Sequence, residues 1–431
     1  MLLNGVCDYM EYRKQRLLVE GGRRLQGEIA VQGAKNSVLP LLAATVLCKG
    51  EAVLHNCPKL TDADAAFRIL DCLGCKCNRQ MSVVTINAEQ MSNNQVSDQL
   101  AQEMRSSIVF LGAILGRCGS CRWSTPGGCD LGPRPIDYHI EAFRQMGVDI
   151  VEDGGFMNCT TPKGIQGAKI SLPFPSVGAT ENIILAAVTA KGKTEIHNAA
   201  KEPEIVDLSN FLNKCGAKIK GTGGSTIIVE GVNELSGTEH TVIPDRIVAA
   251  TYMCCAAITR GELLLTKTKH DDLSAVIPIF EKMGCSVYTY DNDRIYVNAR
   301  KGLRSPGKVV THVHPGFPTD SQPLLMALTT ILPGTTIFEE NIFECRFKHA
   351  GELNRLGAKI NVRERIAVVE GVNRLSGAYV KATDLRGGAA LVTAGLACEG
   401  ITKISDIFHI DRGYESIEDV LRNVGANIKR R

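Results

Sequence analysis

The chain repeats one pattern six times. Six amphipathic segments end alike, in an apolar residue or a cysteine followed by glycine: Leu73-Gly74, Met146-Gly147, Cys215-Gly216, Met283-Gly284, Leu356-Gly357 and Val424-Gly425. The glycines stand 73, 69, 68, 73 and 68 residues apart. Before each, apolar residues fall at helical spacing, as in Ala66, Ile69, Leu70 and Leu73, so each glycine is expected to close a helix in the left-handed conformation. After each comes alternation, as in Ala358-Lys359-Ile360-Asn361-Val362, then a turn and Ile366 to Gly371, which reads as a β-hairpin. Another helical run, a turn glycine (Gly50, Gly119, Gly192, Gly261, Gly334, Gly400) and a short strand lie upstream of each capped helix. The predicted repeat is helix, strand, helix, strand, strand.

Units of about 70 residues are too large for a solenoid and too small to bury a core alone, so they group three and three. The sixth copy stops at Lys429-Arg430-Arg431, one strand short, while Leu17-Leu18-Val19-Glu20-Gly21 resembles the repeat strand Ile227-Ile228-Val229-Glu230-Gly231. The expected organisation is α/β, with repeats one to three in residues 35–243 and repeats four to six in 1–34 plus 244–431, closed by the N-terminal strand. Hydrophobic residues at 44% and charged residues at 22% exclude disorder, collagen and coiled coil. A net charge of +3 excludes a nucleic-acid-coating or membrane-surface protein, so any anion recognition must be local. The N-terminus lacks a basic region followed by an apolar one, and no apolar stretch reaches membrane-spanning length. Sixteen cysteines, several in apolar segments such as Cys254 and Cys255, read as reduced thiols. The expectation is an unexported, cytoplasmic protein.

Counting back 14 or 15 residues from each turn glycine reaches the start of the first helix of each repeat: Lys35, Arg105, Gly178, Arg246, Asp320 and Arg386. Four of the six are cationic. A cation there opposes the helix dipole, and the recurrence points to anion binding. The second repeat is also longer, with 28 residues from turn glycine to helix-end glycine against 23 to 25 elsewhere. The addition is Ser124 to Arg134, rich in glycine and proline and carrying Cys129, whose thiol near Arg134 should ionise readily.

Gly33-Ala34-Lys35-Asn36, Pro126-Gly127-Gly128-Cys129 with Arg134-Pro135, Pro315 to Asp320, Asp384-Leu385-Arg386 and His409 to Glu415 are together similar to the UDP-N-acetylglucosamine 1-carboxyvinyltransferases, enolpyruvyltransferases. The resemblance runs from about Leu17 to Lys429. It implies a two-domain inside-out α/β barrel, three repeats per domain, with the active site between domains. The implied reaction is transfer of enolpyruvyl from phosphoenolpyruvate to the sugar 3′-hydroxyl, the first committed step of peptidoglycan synthesis, through a tetrahedral intermediate that loses phosphate. No cofactor or metal is implied. By the resemblance, Lys35, Arg134 and Arg386 hold phosphoenolpyruvate, Asp320 is the candidate base, and Cys129 is the general acid that can form a covalent adduct. For the nucleotide sugar the matches are Asn36, Arg105, Arg134, Pro135, Ile136, Asp137, Tyr138, Ser176, Val177, Gly178, Asp320 and Ile342, joined by Arg346.

Three positions depart from the family's usual pattern. Phe174 and Pro175 stand where a polar or basic residue is common, and Asp130 follows the cysteine where a small residue is common. A carboxylate there opposes thiolate formation. Three rival readings remain at this point: the sister enzyme acting on shikimate 3-phosphate, a catalytically weak or regulatory paralogue binding the same nucleotide sugar, and a zinc site built from Cys72, Cys75, Cys77, Cys118 and Cys121. Asp320 itself could be no more than a helix cap. His409 and Asp411 read as structural links around the last repeat. The sequence leaves the oligomeric state open, and a monomer is consistent with it.

Overall fold

Six helices carry almost no polar face: α1 (Lys35–Ala44), α2 (Val109–Cys118), α3 (Val177–Ala187), α4 (Arg246–Ile258), α5 (Gln322–Thr329) and α6 (Leu385–Gly395). A helix apolar all round must be enclosed. In a computed structural model, which describes residues 14–124 and 136–431, these six are enclosed nearly throughout, and most charged residues lie on the sheets and outer helices, with Lys35, Glu181 and Arg386 among the exceptions. The described residues form two compact units, 33–124 with 136–243, and 14–32 with 244–431. Each has its own continuous apolar core. The first is built on α1, α2 and α3, the second on α4, α5 and α6.

The repeat has one more strand than the spacing predicted. In the third, fifth and sixth repeats a short strand precedes the first helix and runs parallel to the strand that follows it: Lys169–Ser171 beside Lys193–His197, Lys308–Val310 beside Thr335–Glu339, and Tyr379–Lys381 beside Ile401–Ser405. With the antiparallel hairpin this makes a four-stranded sheet per repeat in five of the six. In the second repeat the extra strand shrinks to a single parallel bridge, Gln95 to Arg122. Three residues are too few for alternation to register in a sequence, which is why these strands were missed.

The extra strand of each unit's first sheet comes from the far end of that unit's chain. Glu239–Thr241 pairs with Glu51–His55, and Gln26–Ala30 pairs with Glu262–Thr266. Leu17–Glu20, here β1, lies between Ile401–Ser405 and Asn427–Arg430, antiparallel to both. Among the described residues it is the only sheet neighbour of Asn427–Arg430.

The six helix-end glycines all adopt positive φ, from 80° to 107°. Among the turn glycines one differs: at the fourth repeat the left-handed residue is Arg260 (φ 50°), one position before Gly261. Gly261 is needed for a different reason. A Cβ there would lie 2.2 Å from the carbonyl oxygen of Leu25, so the backbone approach to the neighbouring strand excludes any side chain.

Candidate functional site

Each unit gathers candidate residues at the starts of its buried helices, and the two gatherings are built differently. In the unit of residues 244–431, three candidates meet. Arg346 precedes the outer helix His349–Arg355 and is 1% exposed. Its Nε and Nη2 donate to the carbonyl of Thr319 (3.1 and 3.0 Å), and Nη2 also donates to Asp320 Oδ1 (3.1 Å). Arg386, near the start of α6, donates from Nη2 to Asp320 Oδ2 (3.4 Å). Asp320 therefore turns one oxygen to each of two buried guanidinium groups. It does not cap α5: the N-cap position is Ser321, and no side-chain bond caps that helix.

Asp384 is the true cap in this cluster. Its Oδ1 accepts from the amides of Arg386 and Gly387 (3.1 and 3.0 Å) and lies 3.7 Å from Arg346 Nη1. Burial disfavours its charge, but Arg346 and the helix-start amides prevail and hold the carboxyl below its ordinary range. Arg386 is 3% exposed, with its guanidinium 5.4 Å from the ring centre of Tyr414. Burial works against its charge; Tyr414, Asp320 and Asp245 outweigh it and keep the proton bound more firmly than usual. Tyr414 is held by a hydroxyl contact with Thr251 (2.8 Å), and Gln32 bonds the backbone on both sides of it, at Gly413 and Glu415. One donor of Arg386, Nη1, is buried with no partner among the described residues. A buried guanidinium N–H without an acceptor is costly, and it marks where an anion oxygen would be welcome.

Ile342 sits on the same support. Glu340, fully buried, accepts from the amides of Ile342 and Phe343 (2.9 and 3.1 Å) and from Thr319 Oγ1 (3.0 Å), tying the Ile342 turn to the segment that carries Asp320.

In the unit of residues 33–243, Lys35 is the first residue of α1 and is buried, with Nζ 2.8 Å from Asp62 Oδ2. Gly33 just before it has no room for a side chain: a Cβ would lie 1.9 Å from the carbonyl oxygen of Asn56. Asn36 follows on α1, half-buried. Arg105 opens the 3-10 turn leading into α2, while Ser176 caps α3 by accepting from Ala179 N (3.4 Å), with Val177 and Gly178 the first two residues of that helix. Ile136 is the N-cap of the helix Asp137–Gln145, which Asp137 and Tyr138 begin; Ile136 and Tyr138 pack on the core. Cys129, Asp130, Arg134 and Pro135 lie outside the described residues.

Two of the four helix-start cations thus face carboxylates of the chain: Lys35 faces Asp62, and Arg386 faces Asp320. Sequence reasoning missed Asp62, Asp384 and Tyr414. Asp384 carried a signal, since Asp two residues before a buried cationic helix start is a cap pattern. Among the described residues no group of three or more metal-ligating side chains occurs, and no helix is long and apolar enough to cross a membrane. Asp411 takes Arg430 as a two-pronged partner (2.9 and 2.6 Å), joining the turn before the last helix to the last strand.

The model of the EPSP synthase (3-phosphoshikimate 1-carboxyvinyltransferase) family matches residues 19–421. The chain is 49% identical to UDP-N-acetylglucosamine 1-carboxyvinyltransferase 2 of Caldanaerobacter subterraneus subsp. tengcongensis, over 96% of this chain and 98% of that one. It belongs to the UDP-N-acetylglucosamine 1-carboxyvinyltransferase family. The likeness to the enzyme of that name numbered 2 from Staphylococcus saprophyticus is 43%, covering 96% and 98%. Among solved structures, the enolpyruvyl transferase NikO from Streptomyces tendae matches with a TM-score of 0.87 at 24% identity, covering 97% of this chain and 99% of that one. EPSP synthase from Acinetobacter baumannii matches at 0.75 and 19%, covering 97% and 100%. At such identities these two structures share the fold. The chain is an enolpyruvyltransferase with the two-domain inside-out α/β barrel of that family.

Proposed function

We propose that the protein transfers enolpyruvyl from phosphoenolpyruvate to the 3′-hydroxyl of UDP-N-acetylglucosamine, releasing phosphate, as the first committed step of peptidoglycan synthesis in the cytoplasm. The observation that carries this is the 49% identity across nearly the whole of both chains. The candidate residues Lys35, Cys129, Asp320 and Arg386 are all present.

In the first half of the reaction the sugar oxygen bonds to C2 of phosphoenolpyruvate, while the hydroxyl proton leaves and C3 gains one. In the second, C3 gives up a proton and the bond from C2 to the phosphate oxygen breaks. Asp320 takes the hydroxyl proton, and Cys129 delivers the proton to C3. Lys35, Arg134 and Arg386 bind the phosphate and carboxylate, stabilising the charge that gathers on the departing phosphate. Support for the part of Arg386 is its Nη1, buried with no partner among the described residues. Support for Asp320 is its pair of guanidinium neighbours, which fix both oxygens in direction. Asn36, Arg105, the run Arg134 to Tyr138, Ser176 to Gly178, Ile342 and Arg346 serve the nucleotide sugar.

Cys129 gives the sharpest test. Cys129→Ala should lose turnover and still bind UDP-N-acetylglucosamine, whereas Cys129→Asp should keep part of the activity, since a carboxylic acid also donates a proton. The epoxide fosfomycin should alkylate and inactivate the parent and spare the Asp variant. Full turnover by Cys129→Ala would remove the thiol from the mechanism.

A further inference from the structure

One buried amide outside the candidate residues fixes the chemistry of a buried histidine beside them. Asn182, fully buried on α3, makes three contacts. Its Oδ1 accepts from the amide of Gly112 on α2 (2.7 Å), and its Nδ2 donates to the carbonyl of Ile108 (2.9 Å) and lies 2.9 Å from His139 Nδ1. The first two contacts decide the third. The Gly112 amide can only donate, so it faces the oxygen of the side-chain amide; the Ile108 carbonyl can only accept, so it faces the nitrogen. The nitrogen therefore also faces His139, and Nδ1 of that ring must accept. A neutral imidazole that accepts at Nδ1 carries its proton on Nε2. The backbone packing is equally tight, since a Cβ on Gly112 would lie 2.3 Å from the carbonyl oxygen of Asn182.

His139 is 7% exposed, on the helix Asp137–Gln145, and its ring lies against Gly178: a Cβ there would be 3.4 Å from Cε1 and 3.6 Å from Nε2. Nε2 makes no hydrogen bond among the described residues. Burial, and then Arg105, the charged neighbour acting on the ring, hold its pKa down to about 4, in keeping with a ring that stays neutral.

We propose that Asn182 is a positioning residue that locks His139 as the Nε2–H tautomer, so that the ring offers a directed, uncharged donor beside Gly178 to an acceptor oxygen of the nucleotide sugar. This rests on the proposed substrate. Arg105 brings charge to the same place, and His139 brings direction without a second buried charge.

The test uses the full chain with 15N-labelled histidine, the His139 signal among nine being the one lost in His139→Gln. In the parent, Nε2 should be protonated and Nδ1 bare from pH 8 down to pH 5, and UDP-N-acetylglucosamine should shift the Nε2–H resonance. Asn182→Asp replaces the donor facing Nδ1 with an acceptor and should draw the proton to Nδ1. At high pH its Nε2 becomes a lone pair, so KM for the nucleotide sugar should rise roughly tenfold between pH 6 and 8.5, the scale of a hydrogen bond turned into an unpaired acceptor, with kcat little changed. A merely structural asparagine would not produce that pH-dependent split of KM from kcat. If Asn182→Asp does not fold, His139→Ala and His139→Gln decide: Ala should raise KM about tenfold, and Gln, which restores a donor, should recover most of it. A proton on Nδ1 in the parent would overturn the proposal, as would a KM indifferent to all three changes. A parent with the expected tautomer but no turnover of UDP-N-acetylglucosamine would instead overturn the substrate.

Discussion

At the scale of single residues, the paired groups around Asp320 separate catalysis from stability. Asp320 does not cap its helix but faces two buried guanidinium groups, so Asp320→Asn should lower the melting temperature and, per folded molecule, also lower kcat roughly a hundredfold or more, the usual range for a positioned proton-transfer group. A fall in melting temperature with undiminished turnover per folded molecule would assign the residue to structure. Two histidines give a pH signature of their own. Burial holds His139 and His349 down to about 4, and His349, fully buried beside Arg346 and Asp384, has neither ring nitrogen hydrogen-bonded among the described residues. Both rings take up protons more readily when unfolded. Stability should therefore be flat above about pH 6.5 and fall as pH drops toward 4, each ring contributing up to ~1.4 kcal/mol per pH unit. Urea unfolding at pH 7.0, 5.5 and 4.5 measures this. His349→Gln should flatten the fall, and an unchanged slope would show that the ring is not the source. The anion signal of the helix-start cations was legible in sequence, but their partners Asp62 and Asp320 were not, because an ion pair between residues 27 and 66 positions apart leaves no local pattern.

At the scale of elements, the six helix-end glycines and the hairpins after them were legible because each rests on a local rule, a left-handed cap or a period of two. The short parallel strands obey no local rule; they exist because a neighbouring strand in the folded unit offers its backbone. The shift from Gly261 to Arg260 has the same origin, since Leu25, distant in sequence, takes the space beside Gly261. β1 makes this dependence testable. It lies inside a sheet, Leu17 and Val19 are fully buried, and among the described residues Asn427–Arg430 has no other strand beside it. Deleting residues 1–21 removes two buried aliphatic side chains, about 1.5–3 kcal/mol each, and exposes two rows of backbone donors and acceptors. Hydrogen exchange should accelerate in residues 244–431 and stay slow in 33–243. Acceleration confined to 33–243, or none at all, would contradict the role assigned to β1.

At the scale of the whole molecule, repeat spacing was enough to predict six similar α/β blocks, and the motifs around Lys35, Cys129, Asp320 and Arg386 were enough to point to one chemistry. What spacing could not supply is the supporting shell, Glu340, Tyr414 and Asn182, whose roles depend on which segments pack together. The substrate remains the central claim, because the EPSP synthase model covers a sister reaction on the same fold. Phosphate release from phosphoenolpyruvate, followed with UDP-N-acetylglucosamine and with shikimate 3-phosphate in separate reactions, tests it most directly. Release with the nucleotide sugar alone is the predicted result; release with shikimate 3-phosphate, or with neither acceptor, would contradict it.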